Sequence, residues 1–277
     1  MPIDPTMAIG AELPTRDLVW DTTDVLLYHL AIGAGPADLH YVYERDLRVL
    51  PTFAVVTGTL RNTAPPVLTM PGIDADLAQA LHGRQELVVH RPLPPSGRAP
   101  ARSQIVEVQD KGTAAVVVTE TRTTYFTSRS SVFLRGEGGF GGARGASTRV
   151  PPPDRAPDAV IHTPTSRRQA LWYRLCGDRN PLHVDPAFAA TAGFPRPILH
   201  GLCTYGMVGK AAVDAVLDGN PSRLAGYDAR FAGVVYPGET LLTRLWREDG
   251  RLVLATSVVE RDNAPALSDA VITLRDG

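Results

Sequence analysis

Residues 198–217 read ILHGLCTYGMVGKAAVDAVL, apolar or small nearly all the way round. A helix of that composition has no continuous polar face to offer water, so it must be buried. Three strand-like runs follow, 239–248, 251–262 and 266–275, and the stretch LVLATSVVE is the richest in β-branched residues. Upstream, Ser166-Arg167-Arg168-Gln169 fits a capping box ahead of an apolar stripe of Leu171, Tyr173 and Leu175, with Gly177 as the helix stop. A buried helix followed by hairpin-linked strands implies an α+β unit with an antiparallel sheet. One long apolar helix against one such sheet requires the sheet to wrap around it.

The same order of features occurs earlier in the chain. Leu27-Tyr28-His29-Leu30 and the turn Gly33-Ala34-Gly35-Pro36 answer Trp172-Tyr173-Arg174-Leu175 and Gly177-Asp178-Arg179-Asn180-Pro181. Strand-like runs fall at 85–92, 103–109 and 114–127, and corresponding features stay about 140–146 residues apart. Between the copies lies GEGGFGGARGASTRVPPPDRAPD, residues 136–158, with no apolar period. It reads as a linker, which divides the chain into units at 1–135 and 159–277. Gly136-x-Gly138-x-x-Gly141 has the letters of a dinucleotide fingerprint, but Pro151-Pro152-Pro153 follows where a helix is required.

Composition narrows the function. The 277 residues carry 28 Lys+Arg against 29 Asp+Glu, which argues against a nucleic-acid binder driven by bulk charge. No run of about 18 apolar residues is present, so no membrane helix is expected. The opening MPIDPTMAIGAELP lacks the basic and apolar regions of a secretory signal. Two cysteines, Cys176 and Cys203, make no disulfide framework, and a cytoplasmic protein with free thiols is the expectation. His29, His40, His82, His90 and His162 show no paired metal spacing, so no metal is expected.

Chemistry concentrates at 173–206, YRLCGDRNPLHVDPAFAATAGFPRPILHGLCTYG. Tyr173 to His183, YRLCGDRNPLH, resembles the signature of the (R)-specific, MaoC-like (type 2) enoyl-CoA hydratases. The resemblance implies two hotdog units in one chain, each a long helix wrapped by an antiparallel sheet, with the motif in the second only. It also implies a hydro-lyase acting on acyl-CoA, with the CoA thioester as substrate and no resident cofactor. Hydration needs a water held at C3 and a proton delivered to C2. Asp178 and His183 lie across a Gly-Asp-x-Asn-Pro turn that can bring both side chains onto one water. His183 would take the water's proton and Asp178 would orient the water. Pro181 stiffens the turn and Asn180 ties it through its amide.

The transition state builds charge on the thioester oxygen, and a helix N-terminus supplies free N–H groups. The resemblance places the backbone N–H of Gly201 at that oxygen. By offset, Gly33 answers Asp178 and Asp38 answers His183, so the first half lacks the chemistry. The resemblance makes that half catalytically silent, a wall for the acyl chain.

Other readings stand beside this one. A lone Asp or His in a Gly-Pro turn is ordinarily structural, and His200 is ordinarily a helix-start or packing residue. Cys203 near a helix start suits a thioesterase, although a buried Cys is the commoner case. An acyl-carrier-protein dehydratase and a non-catalytic acyl-CoA-binding subunit complete the alternatives. Two units in one chain already imitate a hotdog dimer, and two such chains can still pair as a homodimer.

Overall fold

The computed structural model describes residues 3–146 and 149–275. The first half contributes α1 (Pro5–Ala8), β1 (Glu12–Trp20), α2 (Thr22–Ala31), α3 (Leu39–Val42), the small hairpin β2 (Leu68–Met70) and β3 (Ile73–Ala75), then β4 (Ala80–Val89), β5 (Gly97–Asp110), β6 (Ala114–Arg122) and β7 (Phe126–Arg135). The second contributes β8 (Ala159–Pro164), α4 (Gln169–Tyr173), α5 (Pro186–Thr191), α6 (Gly201–Val216), β9 (Leu224–Phe231), β10 (Thr240–Glu248), β11 (Arg251–Val258) and β12 (Ala264–Leu274).

Ten strands join one antiparallel sheet in the order β1-β5-β6-β7-β4-β9-β12-β11-β10-β8. Read inward from each edge, β1-β5-β6-β7-β4 and β8-β10-β11-β12-β9 are the same topology. The repeat seen in the sequence is thus a repeat of strand order. The halves meet at β4 and β9, where Arg84 pairs with Arg230 and Val88 with Gly226. The fold is the α+β double hotdog.

The second half wraps its sheet around α6, in which Cys203, Tyr205, Met207, Val208, Ala212 and Val213 are all buried. Small residues on this helix are required by close neighbours. A Cβ at Gly206 would lie 2.6 Å from Tyr28 Oη, and one at Gly209 would lie 3.0 Å from Thr52 and 3.4 Å from Tyr227. α6 is therefore gripped by the first half as well as by its own sheet. Tyr205 stacks on Tyr227 with centroids 3.9 Å apart and donates its hydroxyl to the Tyr227 carbonyl at 2.8 Å.

The duplication is unequal. Where the second half starts α6, the first half has only a short 3₁₀ turn, Pro51–Val56. The left-handed glycines Gly33 (φ 94°) and Gly177 (φ 99°) set the offset at this point. They pair Asp178 with Ala34 and His183 with Leu39, one residue from the correspondence read in the sequence, and neither partner can run the chemistry.

Several local expectations are corrected. The run 114–127 is two strands, β6 and β7, parted by a turn in which Thr123 Oγ1 accepts from the N–H groups of Tyr125 and Phe126, both at 3.0 Å. Leu171 and Leu175 are exposed while Ala170, Tyr173 and Cys176 are buried. The helical spacing of three wins over the alternating stripe. The capping box is rearranged. Ser166 Oγ accepts from Arg168 N–H at 3.1 Å, and Gln169 Oε1 accepts from Ser166 N–H at 3.0 Å. Gln169 also donates to the Ala31 carbonyl at 2.5 Å, tying α4 to the end of α2.

The Gly/Pro segment 136–158, of which 147–148 lie outside the described residues, packs against the first half at its start and against the second half from Val150 on. Asp110 Oδ1 accepts from Gly112 and Gly139 N–H at 2.8 and 2.9 Å, and Oδ2 accepts from Gly141 N–H at 2.7 Å.

Candidate active site

The turn that carries Asp178 begins at Gly177, and no other residue fits there. Its φ is 99°, and a Cβ would fall 1.7 Å from the Thr59 carbonyl oxygen. The neighbouring Cys176 carbonyl accepts from Thr59 Oγ1 at 3.1 Å, so the first half clamps the turn from outside. Asp178 Oδ1 accepts from Asn180 N–H at 3.2 Å, and Asn180 Oδ1 caps the 3₁₀ turn Pro181–His183 by accepting from Leu182 N–H at 3.0 Å. Asn180 holds the turn, as its place in the sequence implies.

His183 is buried, and its Nδ1 lies 2.9 Å from the Ile198 carbonyl. A carbonyl only accepts, so Nδ1 carries the proton and the Nε2 lone pair remains available. Burial is the larger influence on the ring and pushes its pKa below the ordinary 6.5, although the Asp178 charge opposes the shift. A neutral imidazole of this tautomer is a base in waiting.

His200 packs on it. The rings are 3.7 Å apart between centroids at 29°, and His200 Nε2–H donates to the Asp178 carbonyl at 3.4 Å. This leaves His200 Nδ1 buried without a partner among the described residues. Burial, with the His183 ring beside it, pushes the His200 pKa well down. Asp178, His183 and His200 each offer a ligand atom within 4.8 Å of the others.

Gly201 is the first residue of α6, so its N–H has no intrahelical acceptor. A Cβ there would meet the Phe231 ring at 3.1 Å. Asp178, Asn180, His183 and Gly201 all line one cavity of about 590 Å³. The four expected site residues are thus brought together.

The first half builds much of the same cavity. His82, Arg84, Gln109, Lys111 and Phe133 line it, as does Arg149 from the segment between the halves. His82 packs against Phe231 with centroids 4.8 Å apart, and burial drives its pKa down to about 4. Nothing in the sequence singled out His82. It lies on β4 at an irregularity in pairing between His82 and Arg84, a feature that strand patterning does not reveal.

The cysteines take no part in this constellation. Both are buried free thiols. Burial pushes Cys176 up to about 12 and Cys203 well above its ordinary value. Neither is a thiolate, so the feature that favoured thioester cleavage is gone.

Known proteins resemble this chain along nearly its whole length. Residues 149–266 match the MaoC like domain, and residues 19–136 match the MFE-2 hydratase 2 N-terminal domain. Enoyl-CoA hydratase ChsH3 of Mycobacterium tuberculosis is 51% identical, over 97% of this chain and 98% of that protein. Enoyl-CoA hydratase 2, peroxisomal, of Arabidopsis thaliana is 38% identical, over 92% of this chain and 91% of that protein. A MaoC-like dehydratase from Phytophthora capsici superposes with a TM-score of 0.90 at 30% identity, covering 99% of this chain and 98% of that one. The chain belongs to the MaoC-like hydratase and dehydratase family, in its form with two hotdog units.

Proposed function

We propose that this chain adds water to a trans-2-enoyl-CoA to give the (R)-3-hydroxyacyl-CoA, and runs the reverse dehydration along the same path. The observation that carries the reading is the meeting of Asp178, His183 and the N-terminus of α6 on one cavity. Relatives named enoyl-CoA hydratase that span nearly the whole chain support the reaction class.

The residues divide the work by their chemistry. A water sits between Asp178 and His183. His183 Nε2 accepts its proton while the oxygen adds to C3, and the Nδ1–H bond to Ile198 holds the ring as imidazolium forms. Electron density moves to the thioester oxygen, where Gly201 N–H and the positive end of α6 meet it. C2 then takes a proton relayed through the Asp178–His183 pair. Asn180 keeps Asp178 in place. The first half is catalytically silent and supplies cavity wall through residues such as His82 and Phe133. The two buried thiols suit a reducing compartment, and we place the enzyme in the cytoplasm.

The test is loss of the conjugated-thioester ultraviolet absorbance with crotonyl-CoA and longer enoyl-CoA esters, with Asp178→Asn as control. Loss in the wild type alone, yielding the (R) alcohol, is expected. A folded wild type that leaves every ester unchanged would overturn the assignment.

A further inference from the structure

The segment between the halves is built far more tightly than a tether requires. Asp110, only 7% exposed, receives three backbone N–H groups, two of them from Gly139 and Gly141. Those donors hold its carboxyl down at about 2, so it stays ionised at any working pH. Asp110 N–H also donates to the Ala143 carbonyl at 2.9 Å, Gly136 N–H donates to Thr113 at 2.9 Å, and the Lys111 ammonium donates to the Arg144 carbonyl. A Cβ at Gly138 would lie 2.6 Å from backbone atoms of Ala114 and Gly112. The glycines therefore serve close docking onto the β5–β6 turn.

The far end is fixed to the other half. Val150 N–H donates to Asp269 Oδ1 at 3.0 Å, and Asp269, 7% exposed, also receives Arg230 Nε at 2.8 Å. Just before Val150 comes Arg149, which lines the catalytic cavity. Two other arginines on that cavity are already paired, Arg84 with Asp228 and Arg230 with Asp269. Among the described residues, Arg149 makes no ion pair.

A guanidinium without a carboxylate, held at a cavity wall by carboxylate anchors in both halves, is chemistry for a phosphate. We propose that Arg149 binds a phosphate of the CoA portion of the substrate, and that Asp110 and Asp269 are positioning residues that fix the segment carrying it. This rests on the CoA-thioester reading above. The phosphate carries the same charge in the ground state and the transition state, so the contact is uniform binding and its loss should appear in KM with kcat unchanged.

The experiment compares crotonyl-CoA, crotonyl-dephospho-CoA and crotonyl-pantetheine in wild type, Arg149→Gln and Asp110→Asn. Arg149→Gln should raise KM for crotonyl-CoA about tenfold or more with kcat within about twofold, as expected for one charged hydrogen bond. It should leave kcat/KM for crotonyl-pantetheine, which lacks the diphosphate and 3′-phosphate, within about twofold of wild type. Asp110→Asn should show the same selectivity, and the double variant should be no worse than about twice the poorer single one, because both act through one contact. Sensitivity retained with dephospho-CoA assigns the contact to the diphosphate, and sensitivity lost assigns it to the 3′-phosphate. An unchanged KM for crotonyl-CoA in Arg149→Gln overturns the proposal, as does an equal loss on all three esters. If Asp110→Asn fails to fold, Arg149→Gln alone decides the phosphate contact. A wild type inactive on every ester fails at an earlier step, and both the CoA reading and this inference then fall.

Discussion

Gly201 offers a way to remove a single hydrogen-bond donor from the site. Its N–H is one of the orphan donors at the start of α6, and proline is well tolerated at that first helical position. His200 before it has φ −56° and ψ 131°, the extended backbone that a residue preceding proline adopts. Gly201→Pro should therefore keep the helix and delete the donor. Its side effect is a Cβ about 3.1 Å from the Phe231 ring, and Gly201→Ala introduces the same Cβ while keeping the N–H. The ratio of the two variants isolates the donor. One preorganised donor at a developing oxyanion is worth roughly 10²–10³ in kcat, about 2.7–4 kcal/mol. The assay is kcat and KM on crotonyl-CoA, after circular dichroism and urea melts show that both variants fold. The alanine variant should stay within about tenfold of wild type, and the proline variant should fall at least about 100-fold below it with similar KM. If the two agree within about threefold, Gly201 does not meet the enolate and the argument from the helix terminus is wrong.

Four further outcomes follow from the same geometry. Asp178→Asn should cut kcat by roughly 10²–10⁴ with KM little changed, since the amide keeps the shape and loses the charge; near wild-type turnover would contradict its role. Gly177→Ala places a Cβ 1.7 Å from the Thr59 oxygen at a φ of 99°. It should lose roughly 3–5 kcal/mol in urea unfolding, and a loss under about 1 kcal/mol would refute the clamp. His200→Phe keeps a ring against His183 but drops the bond to Asp178, so kcat should fall about tenfold at constant KM; a pure KM effect would speak against positioning. His29 is wholly buried between the Tyr41 carbonyl and Leu50 N–H, and burial lowers its pKa from 6.5 to about 4. The unfolded chain takes the proton first, so stability is whole above about 6.5 and declines down to about 4. That decline is of the order of 3 kcal/mol from this group. Urea midpoints at neutral and mildly acidic pH should converge in His29→Asn, and an unaltered slope would show that other groups set it.

The sequence was readable where local chemistry and period agree. The buried helix at 198–217, the hairpin strands after it and the turn from Gly177 to His183 each announce themselves within a dozen or so residues. The hotdog repeat was legible because turns recur at a steady spacing. What stayed hidden depends on partners distant in the chain. β1 and β9 were missed because their half-buried patterns are broken by polar and small residues, and β8 because it is short and buries no residue fully. The β6–β7 turn uses a threonine hydroxyl where glycine or proline was sought. His82 reaches the site by packing its ring on Phe231 across the seam, and the segment after Arg135 shares its composition with flexible linkers while Asp110 holds it still. Leu171 and Leu175 misled because alternation was counted in a segment that winds as a helix.

The seam between β4 and β9 has a consequence for how such a chain can change. In a symmetric dimer every substitution occupies both seats, so a residue that widens one pocket also alters the other. Joining two copies in one chain releases them from that bond. One copy can shrink its central helix to a 3₁₀ turn and place a histidine in its neighbour's cavity, while the other keeps its buried helix and its Asp–His turn intact. The division into wall and workshop is a liberty of the tandem arrangement, which a symmetric pair of identical chains does not have.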